Sequence, residues 1–470
     1  MKNYTPIIAV LMALMMNVTM AQTQLWGTAQ YGGINNKGTI FSADGNGNNF
    51  HIVYSMDSAT GAIPQGGMVL ANNGKFYGVT SMGGCQDSCV VYSFDPGSGV
   101  FSDLHDFYCD STHGLGAFCS MTLAANGKLY GLCTYGGFNR FGVLFQIDPS
   151  TNTYSDIYDF SNVASQPAGS LIQLSDGKLY GMTTSSLNNS NGTIFSYDPS
   201  IASFTVLYTI PFINNPMQWY PKLFKANDGN FYGMLEYGGA NNDGFIFKYA
   251  PASIDTFTDV HDFNGTNGKN PYAGLIQASN GLLYGTTAYG GTNNFGVLFS
   301  IDITTDSLTV LHSFNNIDGA YPQKNLIQAS NSKLYGTTLG GGAGGGAAFS
   351  YDIMTNTFAN IADFNSTTGT QPLCELMESP VGLGLPVITD NFIITLFPNP
   401  AINTITLRSP MSIINCQLSI EDVLGNKIYQ QQITNAKQAT IDISKWSEGV
   451  YFYEVIGSNE VARGKFIIQK

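Results

Sequence analysis

Three of the five histidines fall in one phrase: Leu104-His105-Asp106-Phe107, Val260-His261-Asp262-Phe263 and Leu311-His312-Ser313-Phe314. A histidine beside a carboxylate has the parts for proton transfer near neutral pH. Tyr54, Tyr158 and Tyr208 occupy the same place elsewhere in the chain, however. An interchange of His with Tyr speaks for half-buried packing on an outer strand. Asp106, Asp159, Asp262 and Asp363 also recur at matched places, too dispersed to work as a carboxylate pair, and are expected to accept backbone N–H groups. Asp44-Gly45-Asn46-Gly47-Asn48 alternates oxygen ligands like the start of a calcium loop, but Ser55 stands where the distal glutamate belongs. That segment reads as a turn. With no CxxC or clustered Cys/His spacing, no metal site is expected. The glycine pairs (Gly83-Gly84, Gly290-Gly291 and their kin) precede no helix, so they form no phosphate cradle, and no cofactor is implied.

What remains is a tyrosine–amide pattern, Tyr-Gly-Gly-x-Asn. It supplies Tyr31 with Asn35, Tyr135 with Asn139, Tyr237 with Asn241, and Tyr289 with Asn293. Tyrosine rings among amides can stack on sugars or grip a polypeptide, and these eight residues are the candidate ligand-binding set. Against this stands the plainer role of tyrosines that only pack turns. Seven cysteines leave at least one unpaired, with Cys85–Cys89 and Cys109–Cys119 as the candidate disulfides.

The elements that position these residues follow from a period. Apolar-Tyr-Gly or apolar-Trp-Gly occurs at Trp26, Tyr77, Tyr130, Tyr180, Tyr232, Tyr284 and Tyr335, at intervals of 50 to 53 residues. Each period divides into four short strands, A to D, as in Ser170–Leu174, Lys178–Thr184, Gly192–Tyr197 and Ser203–Ile210. AsnGly or AspGly between A and B is a strong hairpin signal. The first period lacks strand A, and Pro372–Met377 offers an extra one after the seventh. The expected fold is therefore all-β: a seven-bladed β-propeller over residues 22–378, closed by that C-terminal strand in blade one, then a small β-sandwich. In such a meander the B–C and D–A loops share one face, where the candidate tyrosines lie. The unit LeuTyrGlyThrThrAlaTyrGlyGlyThrAsnAsn at 283–294 resembles the bacterial GloVer tandem repeat and, more distantly, kelch repeats. That resemblance implies a propeller in exported or surface proteins and no assigned activity.

The ends of the chain bear on location. Residues 1–21 combine Lys2, the apolar run Ile7–Met16 and Thr19-Met20-Ala21, which reads as an export signal peptide. No later stretch is long and apolar enough to span a membrane, so no integral span is expected after its removal. A formal charge of -13 disfavours nucleic acid as a partner. After a linker at 379–392, residues 393–470 change spacing to seven short strand-like segments. They carry Pro398-Asn399-Pro400, Asp422 and Gly425, Gly449 and Tyr451, and Lys465 near the end. This set resembles the type A C-terminal sorting domain of type IX secretion, which implies the type IX machinery as partner and export to the surface or medium. The reading is a non-enzymatic exported propeller that binds an extracellular glycan or protein. The alternatives are a secreted polysaccharide-acting enzyme, which would need unlike residues converging from different blades, and a structural surface-layer component.

Overall fold

The computed structural model describes residues 23–85, 89–107, 114–117, 120–186, 192–211, 222–251, 256–379, 395–397, 401–422, 426–456 and 461–469. Among them there are strands and turns and no α-helix, and two compact units divide near residue 381. The first holds seven successive antiparallel sheets of four or five strands.

The Tyr-Gly pair builds each sheet for two separate reasons. In the sixth repeat Leu283–Thr287 pairs with Val297–Asp302, placing Gly285 opposite Phe299. The Phe299 ring lies over the glycine, where a Cβ would come within 2.7 Å of Cζ. The same approach would be 2.2 Å at Gly131 and 2.6 Å at Gly336. The tyrosine reaches the other way and ties down the A–B turn, accepting a hydrogen bond from Asn280 (2.7 Å) at Tyr284 and donating one to Asp228 (2.8 Å) from Tyr232. These turns are three-residue loops. Ala71 N–H bonds to Lys75 O, Gly74 N–H bonds back to Ala71 O, and only Gly74 takes a positive φ.

A second device fixes the D–A loops. Ile63, Gln166, Asn270, Tyr321 and Gln371 each precede a proline yet hold φ between 49° and 60°. Non-glycine residues resist that region, and a following proline restricts them further. Each N–H is held by a carbonyl in the B–C turn of the repeat just left, at 2.7 to 2.9 Å, as in Asn270 to Asp243 and Tyr321 to Phe295. B–C and D–A loops are thereby clasped together.

The chain ends of this unit meet. Met377–Ser379 pairs antiparallel with Gln24–Trp26 and becomes the fourth strand of the first sheet. The Glu378 carboxylate accepts Ser330 N–H (2.8 Å), repeating the reach of Gln277 to Asn227 N–H and Gln328 to Ser279 N–H (2.9 Å each). The pairing starts later than the expected Pro372–Met377, so Ser379 belongs to the strand and not to the linker. The rest of 379–392, like residues 1–21, lies outside the described residues.

Among the described residues of the second unit there are five strands where seven short ones were expected. Thr404–Asp422 and Lys427–Asp442 form one long hairpin, with Thr395–Phe397, Gly449–Ile456 and Val461–Ile468 beside it in a single sheet. The Ser409-Pro410 break shifts the register between Arg408 and Ile413 without ending the strand. Ile405, Leu407, Leu418, Ile420, Val455 and Phe466 form its core. Asp422 Oδ1 accepts Asn426 N–H (2.9 Å) to close the hairpin turn. The Tyr451 hydroxyl donates to Ser447 O (2.9 Å) while its ring packs on Trp446 and Phe466. Lys465 is exposed, and Gly449 holds a φ of 148°. Pro398, Asn399, Pro400 and Gly425 lie outside the described residues.

Candidate functional site

The amides of the tyrosine–amide pattern are engaged in the fold. Asn35, Asn139, Asn241 and Asn293 each donate inward to a backbone carbonyl, of Met56, Phe160, Phe263 and Phe314, at 2.9 to 3.3 Å. Their tyrosines remain at the surface: Tyr135 is 42% exposed, and Tyr31, Tyr237 and Tyr289 are half-buried. The histidines behave as packing groups. His105 stacks on Tyr154 and His312 on Phe358, both at 3.6 Å, and burial lowers the His261 and His312 pKa. The expected Cys85–Cys89 bridge does not form: Cys85 is exposed, and Cys89 is turned into the core with Sγ donating to Ser81 O. Cys109 and Cys119 lie outside the described residues. Among the described residues no group of His, Cys, Asp or Glu could hold a metal ion.

Two aspartates act as expected, and one of them, Asp262, has an unexpected partner. Asp159 and Asp262 accept the N–H groups of Phe138 (2.8 Å) and Ala240 (2.9 Å) in the B–C turns. Asp259, beside Asp262, has its pKa pushed to about 6 by burial and then by that neighbouring charge. Asp103 beside Asp106 is likewise raised to about 6. The aspartates do form carboxyl pairs, within one strand D rather than between repeats.

A second constellation is absent from the sequence reading. The residue just before the buried apolar position of strand A is Gly67, Ser120, Ser170, Lys222, Gly274, Asn325 and Glu375 in turn. Lys222 Nζ meets Glu375 Oε1 at 2.5 Å, although 153 residues separate them. Asn325 donates to the same carboxylate and accepts Gly274 N–H, and Ser120 joins Glu375 while accepting Gly67 N–H (2.8 Å). Glycine at 67 and 274 leaves room, since a Cβ there would press on Glu375 and Lys222 at 2.9 and 2.8 Å. Burial would raise the Glu375 pKa, but Lys222, Asn325 and Ser120 together hold it below its ordinary value. Ser120, Ser170, Lys222, Asn325 and Glu375 line a partly open cavity of about 20 Å³, room for roughly one water. Tyr272, Gln323 and Lys324 also line it, with Gly66 and Gly169.

Tyr272 leads outward from that cavity to a buried acid. Glu236 is 3% exposed, and neither carboxylate oxygen makes a hydrogen bond of good geometry. The Tyr237 and Tyr272 hydroxyls nevertheless stand close enough to draw its pKa down against the larger, raising effect of burial. Its carboxylate in turn pushes Tyr237 up to about 12. Tyr289 is near both tyrosines, and Tyr321 packs on Tyr289 at 5.3 Å. Three neighbouring repeats thus contribute to one tyrosine-rich sector around Glu236.

The repeat model called Gloeobacter/Verrucomicrobia repeat matches residues 15–221 and 167–385. The chain belongs to that family. In this member of the repeat family, residues 395–469 further match the secretion system C-terminal sorting domain, a tail that marks a protein for type IX secretion to the cell surface or extracellular space. No curated protein matches the chain. Among solved structures, the periplasmic gluconolactonase PpgL of Pseudomonas aeruginosa is similar at 17% identity and a TM-score of 0.54, over 77% of this chain and 99% of that one. A putative 6-phosphogluconolactonase of Bacteroides fragilis is similar at 14% identity and 0.53, over 78% and 100%. At such identity the likeness carries the β-propeller fold alone.

Proposed function

We propose that this is an exported seven-bladed propeller, closed by Met377–Ser379 in its first blade, that binds a saccharide at the mouth of its axis on the B–C and D–A loop face. One observation carries the reading: Tyr237, Tyr272 and Tyr289, from two successive repeats, gather at Glu236 beside a cavity lined by unlike polar groups from several repeats. Aromatic rings offer apolar faces to sugar C–H groups, and their hydroxyls pair with sugar hydroxyls. The seven sheets, the shared strand and the hydrogen-bonded set around Glu375 support the closed ring. Tyr31 and Tyr135 occupy matched positions in other blades and would extend the same face. A glycan array probed with the whole secreted chain tests this. Binding that falls at least about tenfold in Tyr237→Ala and Tyr289→Ala, with melting temperatures kept, supports it, and unchanged binding overturns it.

A hydrolytic reading of the same site is favoured by the convergence of unlike groups. Lys222 and Glu236 from one repeat, Tyr272 from the next and Glu375 from the segment before Met377–Ser379 supply unlike groups, as acid–base chemistry requires, and the named lactonases share the fold. Glu236, its pKa raised by burial, would be the proton donor. Release of acid from glucono-lactone, lost in Glu236→Gln, would decide for this reading, and an inert protein on lactones and polysaccharides would remove it.

A further inference from the structure

One buried acid has no counterpart elsewhere in the repeat. The fourth residue after the Tyr-Gly or Trp-Gly aromatic is neutral in the six other repeats, Gln30 and Ala288 among them, and is Glu236 in the fifth. The fold therefore does not call for a carboxylate at this place. Glu236 is 3% exposed, and neither of its oxygens makes a hydrogen bond of good geometry. Among the described residues it joins no ion pair, while Lys222 is taken by Glu375 and Lys269 by Asp243 (2.8 Å). A carboxylate buried in this way is costly unless a cation offsets it. What stands against it is a pair of hydroxyls. Tyr237 is pushed up to about 12 chiefly by its approach to that carboxylate, and Tyr272 is raised by burial and then by the same charge. Backbone hydrogen bonds hold the rings in place. Asn270 Nδ2 donates to Glu236 O (3.2 Å) and Ala288 N–H to Asn270 O (3.1 Å), which ties the loop bearing Tyr272 to both flanking strands. Tyr289 and Lys269 exchange two backbone hydrogen bonds (2.8 and 3.0 Å), and Tyr321 packs on the Tyr289 ring at 5.3 Å. All four tyrosines are half-buried, so they reach solvent where the carboxylate does not.

We propose that the tyrosine sector seats the ammonium group of an amino sugar, with Glu236 as the buried counter-charge behind the Tyr237 and Tyr272 hydroxyls. This rests on the saccharide reading above and narrows it to a charge class. Tyrosine faces attract a cation through the ring quadrupole. A hydroxyl that turns its proton toward Glu236 leaves its oxygen free to accept from the ammonium, and the carboxylate strengthens that acceptor. A neutral sugar gains nothing from the buried charge, whereas an ammonium supplies the cation that the site lacks.

The test is calorimetric titration of the full chain at pH 7 with glucosamine, N-acetylglucosamine, glucose and methylammonium, in about 0.15 M salt to screen the acidic surface. Glucosamine binding about tenfold or more tighter than glucose and N-acetylglucosamine, and tighter than methylammonium, is expected for one added charge-assisted contact. Glu236→Gln is expected to remove that preference, and Glu236→Asp, which draws the charge back from the hydroxyls, to reduce it. Thermal unfolding of both variants checks that they fold. Equal binding of glucosamine and glucose by the parent overturns the ammonium seat and leaves the saccharide reading standing. A preference that survives in Glu236→Gln overturns the counter-charge. Methylammonium as good as glucosamine overturns the sugar assignment, and binding of none of the four overturns both readings.

Discussion

Replacing Lys222 by methionine keeps the stem and removes the charge opposite Glu375. The two side chains are 20% and 17% exposed and 2.5 Å apart, so the orphaned carboxylate would stay in a largely dry site. Removing one partner of a buried pair costs about 3–5 kcal/mol. Residual exposure and the surviving Asn325 and Ser120 contacts reduce this, and we expect about 2–3 kcal/mol at pH 7.5. The pH dependence gives the sign. In the parent protein the Glu375 pKa lies below its ordinary value of 4.5, so its stabilisation is present above about pH 4.5 and lost as pH falls through the folded value. In Lys222→Met, burial acts with one opponent fewer, so protonation now relieves the folded state. The deficit should therefore be largest at pH 7.5 and shrink toward pH 4. Glu375→Gln in the same background should recover more than half of it, since neutralising both partners removes the buried charge. Urea unfolding followed by circular dichroism at both pH values measures all three proteins. A single mutant within about 0.5 kcal/mol of the parent at pH 7.5 would refute the Lys222–Glu375 pairing.

Other outcomes follow from local geometry. Gly285→Ala should destabilise by about 1–3 kcal/mol, because its Cβ would strike the buried Phe299 ring, and Phe299→Leu in the same chain should return part of the loss in a denaturant titration. Ser332 holds a φ of 65° where most other A–B turns use glycine, so Ser332→Gly should stabilise by roughly 0.5–1 kcal/mol in the same assay. Asp259 has a raised pKa, so the stability tied to its proton is complete below its unfolded value of 3.8 and lost as pH rises through about 6. Asp259→Asn should flatten the parent's decline in melting temperature between pH 5 and pH 7.

The repeat was legible because each of its letters answers a contact made in every sheet. Tyr284 holds a turn, Gly285 makes way for Phe299, and neither can vary without loss. The set around Glu375 was hidden by the same logic, since matching copies draws attention to what recurs. Lys222 and Glu375 stand at a position defined only by what surrounds it, and the sole trace in the sequence is that this position holds five residue types in seven copies. The Asp259–Asp262 pair was concealed differently. Residues three apart on a regular strand face opposite sides, and a register shift between Ile246 and Phe247 on the partner strand alters that alternation. The long C-terminal hairpin escaped because Ser409-Pro410 reads as a terminator and acts as an irregularity. The asparagines of Tyr-Gly-Gly-x-Asn looked available because their carbonyl partners, such as Phe263 for Asn241, lie some 20 residues further along.

Sharing the first sheet between Gln24–Trp26 and Met377–Ser379 has a consequence for the order of events during export. The opening strand emerges first yet cannot acquire its neighbour until more than three hundred residues have followed. Until then its free edge is open to pairing with any passing chain, including a second copy. The sorting tail follows Met377–Ser379, so the address for secretion and the fourth strand of the first sheet arrive almost together. A chain cut short in translation lacks both.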